Sequence, residues 1–153
     1  MPDEERPLSP RGRRDAKAVG VWLADHDVRP DAVLCSPANR TRETWARVSQ
    51  ALESSGGAPD ATYDESIYEA SVKALQGVLR GVPAKTKTVL LIGHNPGVHD
   101  LVVQLAGRGD EKAKALAAAS FPTSGLAVLG VAKQWADLAA GTATLEVFEV
   151  PRG

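Results

Sequence analysis

Sulfur-containing and aromatic side chains are scarce in this 153-residue sequence, which has one cysteine, one methionine and 5% aromatic residues. The single cysteine, Cys35, excludes an internal disulfide and fits a reducing compartment. No apolar run approaches the roughly 20 residues that a membrane-spanning helix needs. The start of the sequence, Met1–Arg6, has no apolar core of the kind that a signal peptide needs. We therefore expect a cytoplasmic protein.

A strong net charge is also lacking, since the formal net charge is −1. Nothing general then draws the chain to nucleic acid or to an anionic membrane. Basic residues crowd the segment Arg6–Lys17, which we interpret as the solvated face of a helix. No group of His, Asp, Glu and Cys has the spacing of a metal site, so a metal hydrolase is not expected.

What the sequence does contain is an alternation of strand and helix patterns in an ordinary globular composition. This alternation predicts one α/β domain over residues 1–153, a three-layer α/β/α sandwich with a mostly parallel sheet. The predicted strands are Ala32–Cys35, Thr62–Tyr63, Val89–Ile92, Leu126–Val131 and Thr142–Val150. The predicted helices follow Ser9, Asn39, Ser71 and Gly97, with a further helix-prone segment over 108–119.

The last predicted strand, Thr142–Val150, differs from the others because its apolar residues alternate with polar ones. Ala143, Leu145 and Val147 fall on one face. Alternation of this kind is typical of a half-buried strand, so we expect it near an edge of the sheet.

The most informative stretch is Thr88–Gly97, an apolar run that leads into Gly-His-Asn-Pro-Gly. Four apolar residues closed by Gly and Pro predict a buried, central parallel strand that ends in a tight loop. Helical spacing then resumes at Val98. His94 is therefore expected at the C-terminal end of a strand, just before a helix N-terminus. Ligands bind at that edge of an open α/β sheet, and a helix N-terminus favours an anion.

A second strand end is also polar, because Ala32–Cys35 runs into Ser36–Arg40. Neighbouring parallel strands would bring Arg40 and His94 to one crevice. A guanidinium holds two phosphoryl oxygens at once, and an imidazole can donate to a third. Read alone, each residue has a plainer interpretation: Arg40 as a surface residue at a helix start, and His94 as a loop histidine bonded to backbone.

Three motifs in order resemble those of the histidine phosphatase superfamily, and are most similar to the SixA-like phosphohistidine phosphatases. They are Arg-Pro-Leu-Ser-Pro-Arg-Gly over 6–12, Leu-Cys-Ser-Pro-Ala-Asn-Arg-Thr-Arg-Glu-Thr over 34–44, and Val-Leu-Leu-Ile-Gly-His-Asn-Pro-Gly over 89–97. Tyr68–Ser71 and Phe121–Ala127 also resemble SixA-type sequence. The resemblance covers nearly the whole chain and implies a phosphoglycerate mutase-like fold.

The family's pocket holds a phosphoryl group between two histidines and two arginines, and one histidine becomes phosphorylated. By resemblance, Arg40 is one clamping arginine, His94 is the second histidine and Asn95 is a further phosphate ligand. Glu69 lies near the position of a proton donor in some relatives; the alternative is a surface glutamate. The implied substrate is a phosphohistidine protein or a small phosphoester, and the chemistry requires no metal or organic cofactor.

One element of the family pattern is absent, because no Arg-His pair occurs anywhere in the sequence. In the family this pair ends the first strand, just upstream of the segment that resembles 6–12. His26 is expected to be exposed at a helix end. His99 follows the loop after His94, and nothing in the pattern specifies it as a nucleophile.

Two hypotheses account for the missing pair: a truncated enzyme, which we favour, or a natural non-catalytic member that binds phosphate or a phosphoprotein. In either case the first strand of the sheet is expected to be missing. An incomplete sheet should expose apolar surface and an unpaired edge. We therefore expect low stability or self-association through that edge.

A cysteine phosphatase is the rival from another catalytic class. Such enzymes place Cys and Arg six positions apart around a phosphate loop. Position 41 is Thr, so the spacing from Cys35 fails, and a strand-end cysteine is more often a core residue.

Overall fold

A computed structural model describes residues 1–153 and has the mixed α/β architecture that the sequence predicts. Three of the four strand pairings are parallel. The helices are α1 (Pro10–Asp25), α2 (Asn39–Leu52), α3 (Val72–Arg80), α4 (Gly97–Leu105) and α5 (Glu111–Ala119). The strands are β1 (Ala32–Cys35), β2 (Ala61–Tyr63), β3 (Val89–Ile92), β4 (Ala106–Gly109), β5 (Leu126–Val131) and β6 (Ala143–Glu149).

The chain divides into two compact units, and each has one sheet of three strands. Unit 1 comprises Met1–Tyr68, Thr86–Gly93 and Pro151–Gly153; unit 2 comprises Glu69–Lys85 and His94–Val150. None of the helices is both long enough and apolar enough to cross a membrane.

Unit 1 is built on the parallel sheet β2-β1-β3, with β1 in the centre. Val33 and Cys35 of β1 are buried. Leu23 of α1 and Val48 and Leu52 of α2 belong to the same buried core. Helix α1 begins where Ser9 and Pro10 predict, because the Ser9 hydroxyl accepts the Gly12 N–H as an N-cap.

The predicted position of β3 is wrong in one respect, because β3 is an edge strand of its sheet and not the central one. All of its residues, Val89–Ile92, are only half-buried. An apolar run indicates that the side chains of a strand are shielded from water. It carries no information on whether one or both backbone edges of that strand are paired. The sheet of unit 1 therefore has two edge strands, β2 and β3, and the apolar run forms one of them.

Unit 2 contains the mixed sheet β4-β6-β5, in which β6 pairs parallel with β4 and antiparallel with β5. Leu145 of β6 is fully buried, and Val102, Ala113 and Ala117 pack with it to form a core cluster. The prediction that the last strand lies near a sheet edge is wrong. Alternation reports that one face is buried, and a central strand with one solvated face alternates equally well.

Strand β4 was not predicted, because its sequence Ala-Gly-Arg-Gly has none of the β-branched or aromatic residues that favour strands. Its glycines serve close packing instead. A Cβ on Gly107 would lie 2.0 Å from the Gly141 carbonyl oxygen, and one on Gly109 would lie 2.1 Å from that of Leu145. Only glycine allows the two backbones to approach so closely.

Candidate functional site

The turn Ser36–Arg40 leads from β1 into α2 and is fixed by its own polar side chains. The buried Thr41 hydroxyl lies 2.8 Å from the Ser36 carbonyl oxygen and 2.9 Å from that of Ala38. The Ser36 hydroxyl accepts the Ala38 N–H, and its backbone N–H donates to the Ile92 carbonyl of β3. These bonds set the direction in which Arg40 leaves the first turn of α2.

Arg40 is partly exposed and binds a carboxylate from the start of the chain. Its Nη1 donates to the Asp3 backbone carbonyl at 2.9 Å, and its Nη2 donates to Asp3 Oδ2 at 3.1 Å. The Tyr68 hydroxyl donates to the same Oδ2 at 2.5 Å. Hydrogen bonds from Tyr68 and then Arg40 lower the pKa of Asp3. The arginine and the phenol thus form a set of donors that suits an anion.

Cys35 is fully buried behind this turn. Burial raises the pKa of its thiol to about 11, against smaller opposing effects of Thr41 and Arg42. A thiol with such a pKa stays protonated near neutrality and is a poor nucleophile. This environment agrees with the sequence argument that Cys35 is a core residue.

The loop that contains His94 lies in unit 2 and begins α4. His94 is half-buried, and its carbonyl accepts the Val98 N–H at 3.0 Å. Gly97 is buried, and a Cβ at that position would collide with the Ala70 carbonyl oxygen. The last glycine of the Gly-His-Asn-Pro-Gly motif is therefore required for packing.

Asn95 uses both ends of its side-chain amide within unit 2. Its Nδ2 donates to the Phe121 carbonyl at 2.8 Å, and its Oδ1 accepts the His99 N–H at 3.2 Å. The second bond caps a backbone N–H in the first turn of α4. To donate to phosphate, Asn95 would have to release Phe121.

Glu69 is exposed and has a left-handed backbone, with a φ of 52°. This conformation is uncommon for a residue other than glycine and is a reason to look for function. The next residue, Ala70, is the one that packs against Gly97. Glu69 is thus one residue from a segment that contacts the His94 loop within unit 2.

The other histidines are engaged elsewhere in the fold. His26 is exposed at the end of α1 and stacks on Trp22 with ring centroids 3.9 Å apart. His99 lies 2.7 Å from the Ala117 carbonyl oxygen through Nε2 and stacks on Phe121. The structure brings together no group of three or more His, Cys, Asp and Glu side chains that could hold a metal ion.

A model of the histidine phosphatase superfamily (branch 1) matches residues 2–87, which is more than half of the chain. The chain belongs to the histidine phosphatase superfamily. The uncharacterized protein Rv1276c of Mycobacterium tuberculosis is 40% identical to it over 98% of this chain and 92% of the relative. The uncharacterized protein ML1117 of Mycobacterium leprae is 35% identical over 98% and 89% of the two chains.

Solved structures place this family member among proteins of the SixA-like fold. A protein assigned as the phosphohistidine phosphatase SixA of Nakamurella multipartitia matches with a TM-score of 0.86 and 31% identity, over 99% of this chain and 88% of that one. A protein with the same assignment from Agrobacterium tumefaciens matches with a TM-score of 0.77 and 28% identity, over 99% and 87%. The recognition of the family from its motifs, and of the phosphoglycerate mutase-like fold class, is confirmed.

Sequence reasoning missed one member of the site, Asp3. It lies on a 3-10 turn, Asp3–Glu5, and contacts Arg40. Its sequence position gave no signal, because the two residues are 37 positions apart. Tyr68 was noted only as part of a SixA-type segment.

Proposed function

We propose that this chain holds the phosphoryl group of a phosphohistidine-bearing protein, or of a small phosphomonoester, through Arg40 and His94. The observation that carries the proposal is the position of Arg40. Side-chain bonds of the Ser36–Arg40 turn fix it at the first turn of the 14-residue helix α2. Donors at that point add to the favourable field of the helix N-terminus.

The register of the parallel sheet supports a role for His94. Cys35 and Ile92 are paired at the ends of β1 and β3, so both strands end at the same edge of the sheet. Arg40 follows β1 at this edge, and His94 is the second residue after β3. Structures assigned as the phosphohistidine phosphatase SixA, which resemble this chain over 99% of its length, support the same substrate class.

In the proposed site the roles are divided by chemistry. The Arg40 guanidinium holds two phosphoryl oxygens, the His94 imidazole donates to a third, and Asn95 is a further ligand. Such donors stabilise the charge that develops as a phosphoryl group is transferred. Glu69 is the proposed proton donor, and its uncommon backbone next to the Ala70–Gly97 contact supports this role.

The nucleophile is the part of the family's chemistry that this chain does not supply. None of its three histidines is preceded by arginine. We therefore propose that this chain binds phosphate with little or no turnover. The alternative is a non-catalytic module that binds phosphate or a phosphoprotein. Phosphate release from phosphohistidine and from an aryl phosphate, measured for the wild type and for His94→Ala, separates both hypotheses from an active enzyme.

Further parts of the proposal concern the setting of the site. We propose that residues 1–153 act as one domain in the cytoplasm, without nucleic-acid or membrane partners. We also propose self-association through the edge strand β3, because its apolar residues are half-exposed and one of its backbone edges has no partner strand. Sedimentation at increasing concentration tests this, and a monomer at all concentrations would contradict it.

Arg40→Ala is the decisive test of the binding site. Loss of the guanidinium should weaken phosphate or vanadate binding at least tenfold, because a charge-assisted pair of hydrogen bonds is lost. Isothermal titration gives the affinity. Arg47→Ala removes the same charge from an exposed position of the same helix and should leave the affinity nearly unchanged. Equal affinities in Arg40→Ala and the wild type would reject the site.

A further inference from the structure

The donors around Arg40 already hold an anion that belongs to the chain itself. Both terminal nitrogens of Arg40 donate to Asp3, one to its backbone carbonyl and one to its carboxylate. The Tyr68 hydroxyl donates to the same carboxylate oxygen. Arg6 Nη1 lies 3.7 Å from the other oxygen, Oδ1. Two guanidinium groups and a phenol therefore surround one carboxylate.

A second contact holds the turn that carries Asp3 against helix α2. Asn39, the first residue of the helix, donates from Nδ2 to the Glu5 carbonyl at 3.1 Å. The 3-10 turn Asp3–Glu5 is thus attached to α2 at both of its ends, through Arg40 and through Asn39. This attachment places the Asp3 carboxylate, rather than water, on the Arg40 guanidinium.

We propose that Asp3 is an internal competitor for Arg40, so that the Asp3–Glu5 turn inhibits the site until a phosphoryl group displaces it. The inference rests on the proposed function and adds regulation to that site. Asp3 engages both terminal nitrogens of Arg40, one through its backbone carbonyl and one through its carboxylate, and a phosphoryl group held bidentately would take the same two nitrogens. Arg40 cannot give the same N–H groups to both at once.

The exposure of the pair makes the displacement feasible. The side chains of Arg40 and Asp3 are 29% and 46% exposed, so a soluble anion can reach them. Ion pairs with this exposure are weak, since water and salt screen them. The turn should therefore lower phosphate affinity without abolishing it.

Asp3→Asn tests the proposal directly, because asparagine keeps the size of the side chain and loses its charge. Phosphate affinity, measured by isothermal titration at low salt, should rise about threefold to tenfold. Glu4→Gln is the matched control, since it removes one negative charge from the same turn at an exposed side chain. It should change the affinity by less than about twofold.

A measurement on the unmutated chain provides an independent readout. The ¹³C chemical shift of the Asp3 carboxyl should move towards its value in an unstructured peptide as phosphate saturates the site. In Arg40→Ala the Asp3 shift should not respond to phosphate, because the group for which the two anions compete is gone. An Asp3 signal that does not respond in the wild type would overturn the proposal.

The possible affinities separate the two levels of the argument. Weaker binding in Asp3→Asn would mean that Asp3 positions Arg40, and unchanged binding would mean that it does not matter; either overturns the inference. An equal gain in Glu4→Gln would assign the effect to net charge and also overturn it. Phosphate that binds independently of Arg40, or does not bind at all, would instead reject the proposed function.

Discussion

The two loops that carry the proposed phosphate ligands are held in contrasting ways. In unit 1 the Ser36–Arg40 turn is fixed by Ser36 and Thr41, whose exposed fractions are 0% and 4%. In unit 2 the loop of His94 is fixed by Asn95, whose side chain is exposed while it bridges Phe121 and His99. Buried hydroxyl groups have no water to replace a lost bond, whereas an exposed amide does.

The comparison teaches that Ser36, Thr41 and Asn95, which are polar residues of the two motifs, hold the loops in shape. Thr41 bonds to backbone carbonyls, and Asn95 bonds to backbone at both ends of its amide. Arg40 differs from them, because it also binds a side-chain carboxylate, that of Asp3. The motifs therefore contain side chains that hold the loop in shape as well as the proposed phosphate ligands.

The largest effect is expected from a core residue that belongs to unit 2 alone. Leu145→Ala removes a fully buried side chain from the cluster with Val102, Ala113 and Ala117. The free energy of unfolding should fall by about 2–5 kcal/mol. Amide exchange should accelerate in Leu126–Val131 more than in Ala32–Cys35.

Leu116→Ala is the control for this change, since Leu116 is 49% exposed on helix α5 of the same unit. It should cost at most about 0.5 kcal/mol, as surface substitutions usually do. Equal acceleration of exchange in both sheets of Leu145→Ala would show that the two units unfold as one.

A smaller effect is expected from loss of the Thr41 hydrogen bonds that fix the Ser36–Arg40 turn of unit 1. Thr41→Val keeps the shape of the side chain and removes the donor to the Ser36 and Ala38 carbonyls. The cost should be about 1–3 kcal/mol in urea unfolding, because buried acceptors lose a partner. Phosphate affinity should also fall, since the turn positions Arg40.

Thr44→Val serves as the matched control, because its hydroxyl donates to the Arg40 carbonyl from a part-buried position one turn further along α2. A helix carbonyl keeps its backbone bond, so the loss should be smaller than for Thr41→Val. If both variants were equally stable, the buried hydrogen bonds of Thr41 would have no special role.

The smallest effect is expected from loss of the exposed Asn95 side-chain amide in unit 2. Asn95→Ala loses the bonds to Phe121 and His99, but water can reach both groups. We expect a loss of about 0.5–1 kcal/mol in thermal unfolding, within the range of helix-capping residues. A loss as large as that of Thr41→Val would remove the distinction between the two loops.

Local signals in the sequence predicted the elements that depend on neighbouring residues. Ser9 and Ser71 precede two of the predicted helices, and in the structure each is an N-cap that accepts the N–H of the residue three positions ahead. Strands β1, β3 and β5 have the predicted bounds. Capping and apolar runs are encoded within one or two turns of chain, which is why they can be read without a structure.

The sequence by itself determined the superfamily, the α/β class, the turn that presents Arg40 and the loop that presents His94. Only the tertiary structure decided that β6 is central, that β3 is an edge and that glycines form β4. It also decided that the Asp3 carboxylate pairs with the Arg40 guanidinium, although the two residues lie 37 positions apart. Strand order and such long-range pairs depend on which backbone edges and charges meet after folding, and no local pattern of residues records that.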